Sequence, residues 1–236
     1  MNDNQFYQEP SSVQPFEKDL PGVMRGVFLW MFIGLLVSAG AAFVGQQLIF
    51  SGTIPSQAMQ TFFYGMLIAE VVVVIALSAM LHKLAPGVAA GLFVLYAVVN
   101  GLTLSVVLLL FSASTILTAF LCTAGMFGVM AGYGLLTKAD LSGYRGFLMT
   151  GLVGIIIASV VNMFMASDML DWIICYVAIF IFVGLTAYDT QKIKRMLNEC
   201  EDETLAKRIT IHGALMLYLD FINIFLRLLR LLSRKR

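Results

Sequence analysis

Charged side chains are scarce in this 236-residue chain, where Asp, Glu, Lys and Arg make up 12% of the residues and hydrophobic residues make up 60%. Soluble globular domains carry about 25% charged residues, because water must solvate their surfaces. The shortage excludes a soluble globular protein and indicates a membrane protein. With a formal net charge of only +1, we expect membrane lipid rather than nucleic acid as its surroundings.

Cysteine and histidine are too few and too scattered to build a thiolate metal centre. Of the three cysteines, Cys122 and Cys175 fall inside hydrophobic stretches and Cys200 lies in the acidic segment ECEDE, with no CxxC spacing. The two histidines, His82 and His212, stand at the ends of predicted helices and have no spaced partners. Structural zinc sites need four such ligands at short spacings. We therefore predict no thiolate metal site and no cofactor.

The first residues lack the pattern of a secretory signal. The segment MNDNQFYQEPSSVQPFEKDLPG is polar and has no basic stretch followed by a short apolar run, so it is not a signal peptide. We predict a flexible cytoplasmic tail over residues 1–24, with a helix starting near Pro21. Residues 25–236 are predicted to form one transmembrane domain.

The hydrophobic residues come in runs of about 20, the length that a helix needs to cross a hydrocarbon core about 30 Å thick. Seven runs are present: Val27 to Ile49, Phe62 to Leu81, Val88 to Leu110, Thr115 to Leu136, Gly146 to Met165, Trp172 to Tyr188 and Gly213 to Leu232. This pattern predicts an all-α polytopic membrane protein with short loops and one longer connection, Thr190 to Ile211.

Lysine and arginine alternate between the connections, which predicts the orientation because they concentrate on the cytoplasmic side. The first, third and fifth connections have none, and the others have Lys18, Arg25, Lys83, Lys138, Arg145, Lys192, Lys194, Arg195, Lys207 and Arg208. We therefore predict a cytoplasmic amino terminus. A full seventh crossing places the basic residues 234–236 outside, whereas a re-entrant seventh segment keeps them inside. We favour the full crossing, because its apolar run is long enough.

Small residues in the fourth run form a GxxxG pattern. In AGMFGVMAGYG, Gly128 and Gly132 are four apart and Gly125 lies near the same face, so a second backbone can approach closely there. We expect this face to pack against another helix of the same chain, with a dimer seam as the alternative.

Three acidic residues lie inside or at the edge of hydrophobic runs: Glu70, Asp189 and Asp220. A carboxylate is costly in lipid, so each must face protein or water. Glu70 could bond a neighbouring helix, and Asp189 could cap a turn at the interface. On a helical wheel, Asp220 shares one narrow stripe with other polar residues of the last run, namely His212, Asn223, Arg227, Arg230 and Arg234. That stripe predicts a face lined for water or ions, and the alternative is that Asp220 and Arg227 neutralise each other through water.

The last two runs are predicted to form an antiparallel hairpin that brings Asp189 and Asp220 to similar depth. A turn at residues 204–205 makes the hairpin symmetric, whereas a turn at Glu199 to Glu203 offsets the two aspartates by roughly 10 Å. Two carboxyl groups in a poorly hydrated site would share a proton and titrate as a pair. Their oxygens are also hard ligands for Ca²⁺. We therefore predict that Asp189 and Asp220 bind Ca²⁺ transiently and couple its passage to proton binding.

Several motifs of this chain resemble the transmembrane Bax inhibitor motif-containing family, especially its bacterial branch. They are SAML at 78–81, NGLTLS at 100–105, AGMFGVMAGYGLLTKADLSGYRGFL at 124–148, VGLTAYDTQKIK at 183–194 and GALMLYLDFINIFLRLLRLL at 213–232. The resemblance implies seven helices with the seventh surrounded by the first six, and a pH-sensitive calcium leak controlled by two aspartates that correspond to Asp189 and Asp220. It also implies a bacterial inner membrane as the location and, for some relatives, a membrane protease as partner.

The resemblance also implies a basic latch in the second helix, and this chain departs from it. Its second run has no arginine and carries Glu70 instead. Candidate replacements for the counter-charge are His82, Lys83 and Arg227.

Two other functions remain as alternatives to conduction. The chain could be a non-conducting regulator, modulating a membrane protease or cell death and stress. It could also be an intramembrane aspartyl protease, since Tyr188 precedes Asp189 as in those enzymes. However, they need GxGD around the second aspartate, and this chain has LYLD at 217–220. We therefore expect it not to be an enzyme.

Overall fold

The computed structural model describes residues 20–53, 56–80, 85–200 and 202–233. These ranges hold seven α-helices and no strand: α1 (Leu20–Phe50), α2 (Met59–Met80), α3 (Pro86–Leu108), α4 (Ala113–Leu136), α5 (Arg145–Met165), α6 (Asp168–Glu199) and α7 (Glu203–Ser233). Short 3₁₀ turns precede α2 and α5, at Ser56–Ala58 and Leu141–Tyr144. The predicted all-α architecture is confirmed. Residues 1–19 of the predicted tail, His82, Lys83 and Arg234 lie outside the described residues.

Six of the described helices are long and apolar enough to cross a membrane, namely α1, α3, α4, α5, α6 and α7. In α2 the apolar stretch within the described residues is shorter, Gln60–Ile75. The seventh predicted run therefore has the length for a full crossing.

The predicted long connection between the last two runs is wrong. Helix α6 continues to Glu199 and α7 begins at Glu203, so nearly all of the segment from Thr190 to Ile211 is helical. The Asp202 side chain accepts a hydrogen bond from the Leu205 backbone N–H at 3.0 Å, which is how an N-cap residue satisfies a free helix end. Glu203 and Lys207 then form an ion pair one turn apart, at 2.7 Å. A search for apolar runs misses these ends because they are polar.

Helix α7 is the most enclosed of the six long helices. In its most apolar 18-residue window 72% of the residues are buried, against 11–44% in the other five. It packs against α1, α3, α4 and α6. Its buried residues lie on all sides, including Leu215, Leu217, Tyr218, Asp220, Ile224 and Leu229. A helix buried all round must place its polar side chains in contact with protein groups or with water inside the protein.

Within the described part of the chain, the GxxxG glycines do not pack against another helix. Apart from the adjacent backbone of α4 itself, no described atom lies within 4 Å of the point where a β-carbon would stand on Gly125, Gly128 or Gly132. The expected intramolecular packing at this motif is therefore wrong. Helix α4 meets α6 through a different face, where a β-carbon on Gly134 would collide with the Ala187 carbonyl oxygen.

Candidate ion-binding site

The contact between α6 and α7 sets the relative depth of the two aspartates. At Gly213 a β-carbon would lie only 3.0 Å from three side-chain carbons of Ile193, so these two residues face each other across the contact between α6 and α7. Counting along antiparallel helices from this contact places Leu217 opposite Asp189. Asp220 then lies three residues further on, about 4.5 Å along the axis at 1.5 Å per residue. This count places the two carboxylates within about one helical turn of equal depth.

Both aspartates line one cavity of about 480 Å³ between α5, α6 and α7. Asp189 exposes 7% of its surface and Asp220 exposes 4%. The wall of the cavity is otherwise largely apolar, with Leu152, Ile155, Phe182, Leu185 and Met216 among its residues, and its remaining polar members are Ser159, Asn223 and Arg227.

The carboxylate oxygens keep unused bonding capacity. Among the described residues, Asp189 Oδ1 and Asp220 Oδ2 are buried and have no hydrogen-bond partner. The neighbouring hydroxyls on α6 are turned to their own helix, since Thr190 donates to the Thr186 carbonyl at 2.7 Å. Buried polar atoms in native structures are nearly always satisfied. These oxygens are therefore suited to a proton, a water molecule or a cation.

Positive charge reaches this site from two sides. Lys192, one turn after Asp189 on α6, attracts the Asp189 carboxylate electrostatically. Asp189 and Asp220 in turn repel each other when both are ionised. Arg227 lines the same cavity. Of the three candidates for the missing counter-charge, Arg227 is thus placed beside the pair, and His82 and Lys83 fall outside the described part of the chain.

The predicted polar stripe of α7 is divided between two cavities. Asn223 and Arg227 line the cavity of the aspartates, and the Asn223 amide nitrogen donates to the Leu219 carbonyl at 2.8 Å. Arg227 and Arg230 line a neighbouring cavity of about 360 Å³, where Arg230 pairs with Asp171 at 3.6 Å. His212 lies eight residues before Asp220, toward the start of α7.

Glu70 does not join the aspartates. It lies on α2, against Asn100 and Thr103 of α3, whereas the cavity of Asp189 and Asp220 is lined by α5, α6 and α7. The structure thus separates the three intramembrane acids into a pair and a single residue.

A polar clamp beside Asp189 was not foreseen from the sequence. The Gln191 side chain accepts from the Leu141 N–H at 2.9 Å and donates to the Ala139 carbonyl at 2.8 Å. Arg195 pairs with Asp140 at 2.7 Å. The TKADLSGY segment after α4 is thereby bonded to the α6 residues that follow Asp189. The only signal in the sequence is that this segment and Gln191 lie within the motifs at 124–148 and 183–194.

The clamp acts on a carboxyl group outside the membrane-spanning helices. The Ser142 backbone N–H donates to Asp140, as does the Ser142 hydroxyl, and Arg195 adds a charged donor. Together these bonds lower the pKa of Asp140 to about 2, because each favours the ionised form.

Comparison with known proteins identifies the family to which these motifs belong. The family model for inhibitors of apoptosis-promoting Bax1 matches residues 20–236. The chain belongs to the Bax inhibitor family. The inner membrane protein YbhL of Escherichia coli K12 is 42% identical over 241 residues, which cover 99% of this chain and 100% of that protein.

Two other bacterial proteins are similar to this chain over most of their length. An uncharacterized protein of Borreliella burgdorferi is 41% identical over 217 residues, covering 89% of this chain and 90% of that protein. One from Deinococcus radiodurans is 38% identical over 210 residues, covering 88% of both chains. The family resemblance predicted from the motifs is confirmed.

Proposed function

We propose that this Bax inhibitor family protein is a pH-sensitive calcium leak channel of a bacterial inner membrane, in which protonation of Asp189 and Asp220 controls passage. The observation that carries the proposal is the cavity between α5, α6 and α7, where two buried carboxylates stand within about one turn of equal depth with unused oxygens. The location follows from the E. coli relative, which is an inner membrane protein.

The cavity has room for a partly hydrated cation. Since a water molecule occupies about 30 Å³ in the liquid, about 480 Å³ holds several waters beside an ion. Ca²⁺ takes about six to eight oxygen ligands. The two carboxylates, the Asn223 amide oxygen and the Ser159 hydroxyl supply some of them, and water supplies the rest. A site that leaves much of the shell to water favours passage over tight binding.

Charge in the cavity keeps the occupancy of Ca²⁺ transient. Arg227 stands in the same cavity as the two carboxylates and opposes a cation there. When both carboxyl groups carry protons, the anionic ligands are lost and the positive side chain dominates. Calcium flux is thus expected to fall toward acidic pH, as protons take the place of the ion.

The helix arrangement agrees with a pathway around α7. We infer that α7 is the central helix, since it is the most enclosed and packs against α1, α3, α4 and α6. The positive-inside rule supports a cytoplasmic amino terminus. The end of the hairpin near residues 199–203 would then face the cytoplasm, because Lys192, Lys194, Arg195, Lys207 and Arg208 cluster around it.

Calcium flux in liposomes that contain only the purified protein tests the proposal. The wild type should conduct Ca²⁺ with a pH-dependent rate across the neutral range, and Asp189→Asn and Asp220→Asn should each lower the flux and remove that dependence. Asp202→Asn is the matched control, since asparagine also caps a helix and residue 202 lies outside the cavity.

Each alternative function has its own outcome in the same experiment. A wild type that conducts no Ca²⁺ at any neutral pH would contradict the channel and favour a non-conducting regulator. Flux with unchanged pH dependence in both aspartate variants would exclude the pair as the sensor. Cleavage of a helical substrate that is lost in both variants while flux is unaffected would indicate an aspartyl protease.

A further inference from the structure

A second buried polar cluster lies on the side of α7 away from Asp220. Tyr218 precedes Asp220 by two residues, which turns it by about 200° around the helix. It is fully buried, and its hydroxyl lies 2.6 Å from Ser38 Oγ of α1 and 2.8 Å from Asn100 Oδ1 of α3. The rings of Phe93 and Tyr96 contact its ring edge-on, both at 5.8 Å between centroids, so the hydroxyl is held in place.

Glu70 stands at the α2 end of this cluster. The side chains of Asn100 and Thr103 lie within hydrogen-bonding reach of its carboxyl group, and its Oε1 atom is buried without a partner among the described residues. Among the described residues, the titratable groups that interact with it electrostatically are Tyr96 of α3 and Tyr218 of α7, and α1 contributes the neutral Ser38. The groups thus form a chain from α2 through α3 and α7 to α1, in the order Glu70, Asn100, Tyr218 and Ser38.

Counting protons shows that the hydrogen bonds from Glu70 to Ser38 have two arrangements in which every donor has an acceptor. Each hydroxyl has one proton to donate, and a carboxylate only accepts. With Glu70 ionised, the Asn100 amide donates to Glu70, Asn100 Oδ1 accepts from Tyr218, and the Tyr218 oxygen accepts from Ser38. Every donor then points toward the carboxylate.

Protonation of Glu70 turns every one of these bonds around. The carboxylic acid donates to Asn100 Oδ1 once the amide has rotated, the amide donates to the Tyr218 oxygen, and Tyr218 donates to Ser38. Ser38 then donates to the Ala97 carbonyl, which already lies 2.8 Å from its oxygen. A mixed arrangement either places two donors face to face or leaves the acid O–H on the buried Oε1, where no described group accepts it. Both are costly in a buried site. One proton is taken up, and Tyr218 and Ser38 each keep their own.

We propose that Glu70 is a second proton-binding site, separate from the Asp189 and Asp220 pair, and that loading it reverses the hydrogen-bond chain through Asn100 to Tyr218 and Ser38. The bonds of Tyr218 connect α7 to α1 and α3, so occupancy of Glu70 changes how α7 is bonded to its neighbours.

Infrared difference spectra of the full chain in lipid membranes, acidic minus neutral, test this proposal. The wild type should show a new carboxylic-acid band together with a change in a tyrosine phenol band, because Tyr218 changes from donating to Asn100 to donating to Ser38. Because Asp189 and Asp220 contribute a carboxylic-acid band of their own, the band of Glu70 is the part that remains in the Asp189→Asn/Asp220→Asn double variant. Adding Glu70→Gln to that double variant should lose both this band and the phenol change. Tyr218→Phe should lose the phenol change and keep the carboxyl band, and Tyr133→Phe, which alters an exposed tyrosine of α4, should keep both.

Three results would overturn the inference. They are a wild type without a phenol change, a phenol change that survives Tyr218→Phe, and a phenol change that survives Glu70→Gln. If the Glu70→Gln protein does not fold, Glu70→Asp replaces it. Its carboxyl group is retracted by one methylene, so the carboxyl band should shift and the phenol change should weaken, and an unaltered spectrum would refute the proposal.

Discussion

The contact between Gly134 of α4 and Ala187 of α6 yields the sharpest prediction for stability. In Gly134→Ala the new methyl group would collide with the Ala187 carbonyl oxygen and lie 3.1 Å from the Ala187 carbonyl carbon and Cα. Backbone atoms cannot rotate away, so the helices must separate. Overpacking of this kind costs about 1–3 kcal/mol, and the better helix propensity of alanine returns up to about 1 kcal/mol.

Because the collision is with backbone, we take the upper part of that range, about 2–3 kcal/mol. Subtracting about 1 kcal/mol for helix propensity leaves an expected net loss for Gly134→Ala of about 1–2 kcal/mol, which is roughly a 5- to 30-fold change in the unfolding equilibrium. Reversible unfolding by SDS titration in mixed micelles measures it. Gly128→Ala is the matched control, because the same change in the same helix meets no described atom within 4 Å. That variant should be unchanged or more stable by up to about 1 kcal/mol. If Gly134→Ala proves as stable as Gly128→Ala, the close approach of α4 and α6 is not where we place it.

Three further substitutions test the clamp at Asp140, the ion pair between Arg230 and Asp171, and the contact between α6 and α7 at Gly213. Asp140 has a folded-state pKa of about 2 against an ordinary value of 3.8, so its contribution to stability should be present above the ordinary value and lost as pH falls through about 2; Asp140→Asn should remove this acid-side loss in a pH series of thermal unfolding. Arg230→Gln should cost less than about 1 kcal/mol, since its ion pair with Asp171 is long and half exposed, and a larger loss by SDS titration would contradict that assignment. Gly213→Ala should cost up to about 1 kcal/mol, because the Ile193 side chain can move, and adding Ile193→Val, which deletes one of the three contacting carbons, should recover part of the loss in a double-mutant cycle.

The sequence predicted the helices well where apolar runs coincide with them, and less well at their polar ends. Hydropathy predicts a loop where α6 and α7 extend beyond their apolar runs. A hydropathy criterion detects the lipid-facing part of a helix and not its continuation into water. Since α6 ends at Glu199 and α7 begins at Glu203, straight helices would offset Asp189 and Asp220 by roughly 10 Å along the helix axis. The contact of Gly213 with Ile193 reduces this offset to about 4.5 Å, and no count of residues reveals it.

The parts of the candidate site that lie on one helix were predictable, and the parts that join helices were not. The helical wheel placed Asn223 and Arg227 on the face of Asp220, and both line its cavity. The bonds from Tyr218 to Ser38 and Asn100 span 180 and 118 residues. Such partners have no periodic relation in the chain, so only the packed structure identifies them.

The sequence by itself determined the class of this protein, because apolar length and scarce charge require a membrane, and a carboxylate inside an apolar run requires a protein or water environment. The same local periodicity determined which residues share a face of α7. Tertiary structure decided which faces meet: it turned Gly128 away and Gly134 toward α6, brought Asp189 to Asp220, and left Glu70 with Tyr218. The physical reason is that helix contacts depend on the close fit of whole surfaces from distant segments, whereas propensity and hydropathy depend on neighbours in the chain.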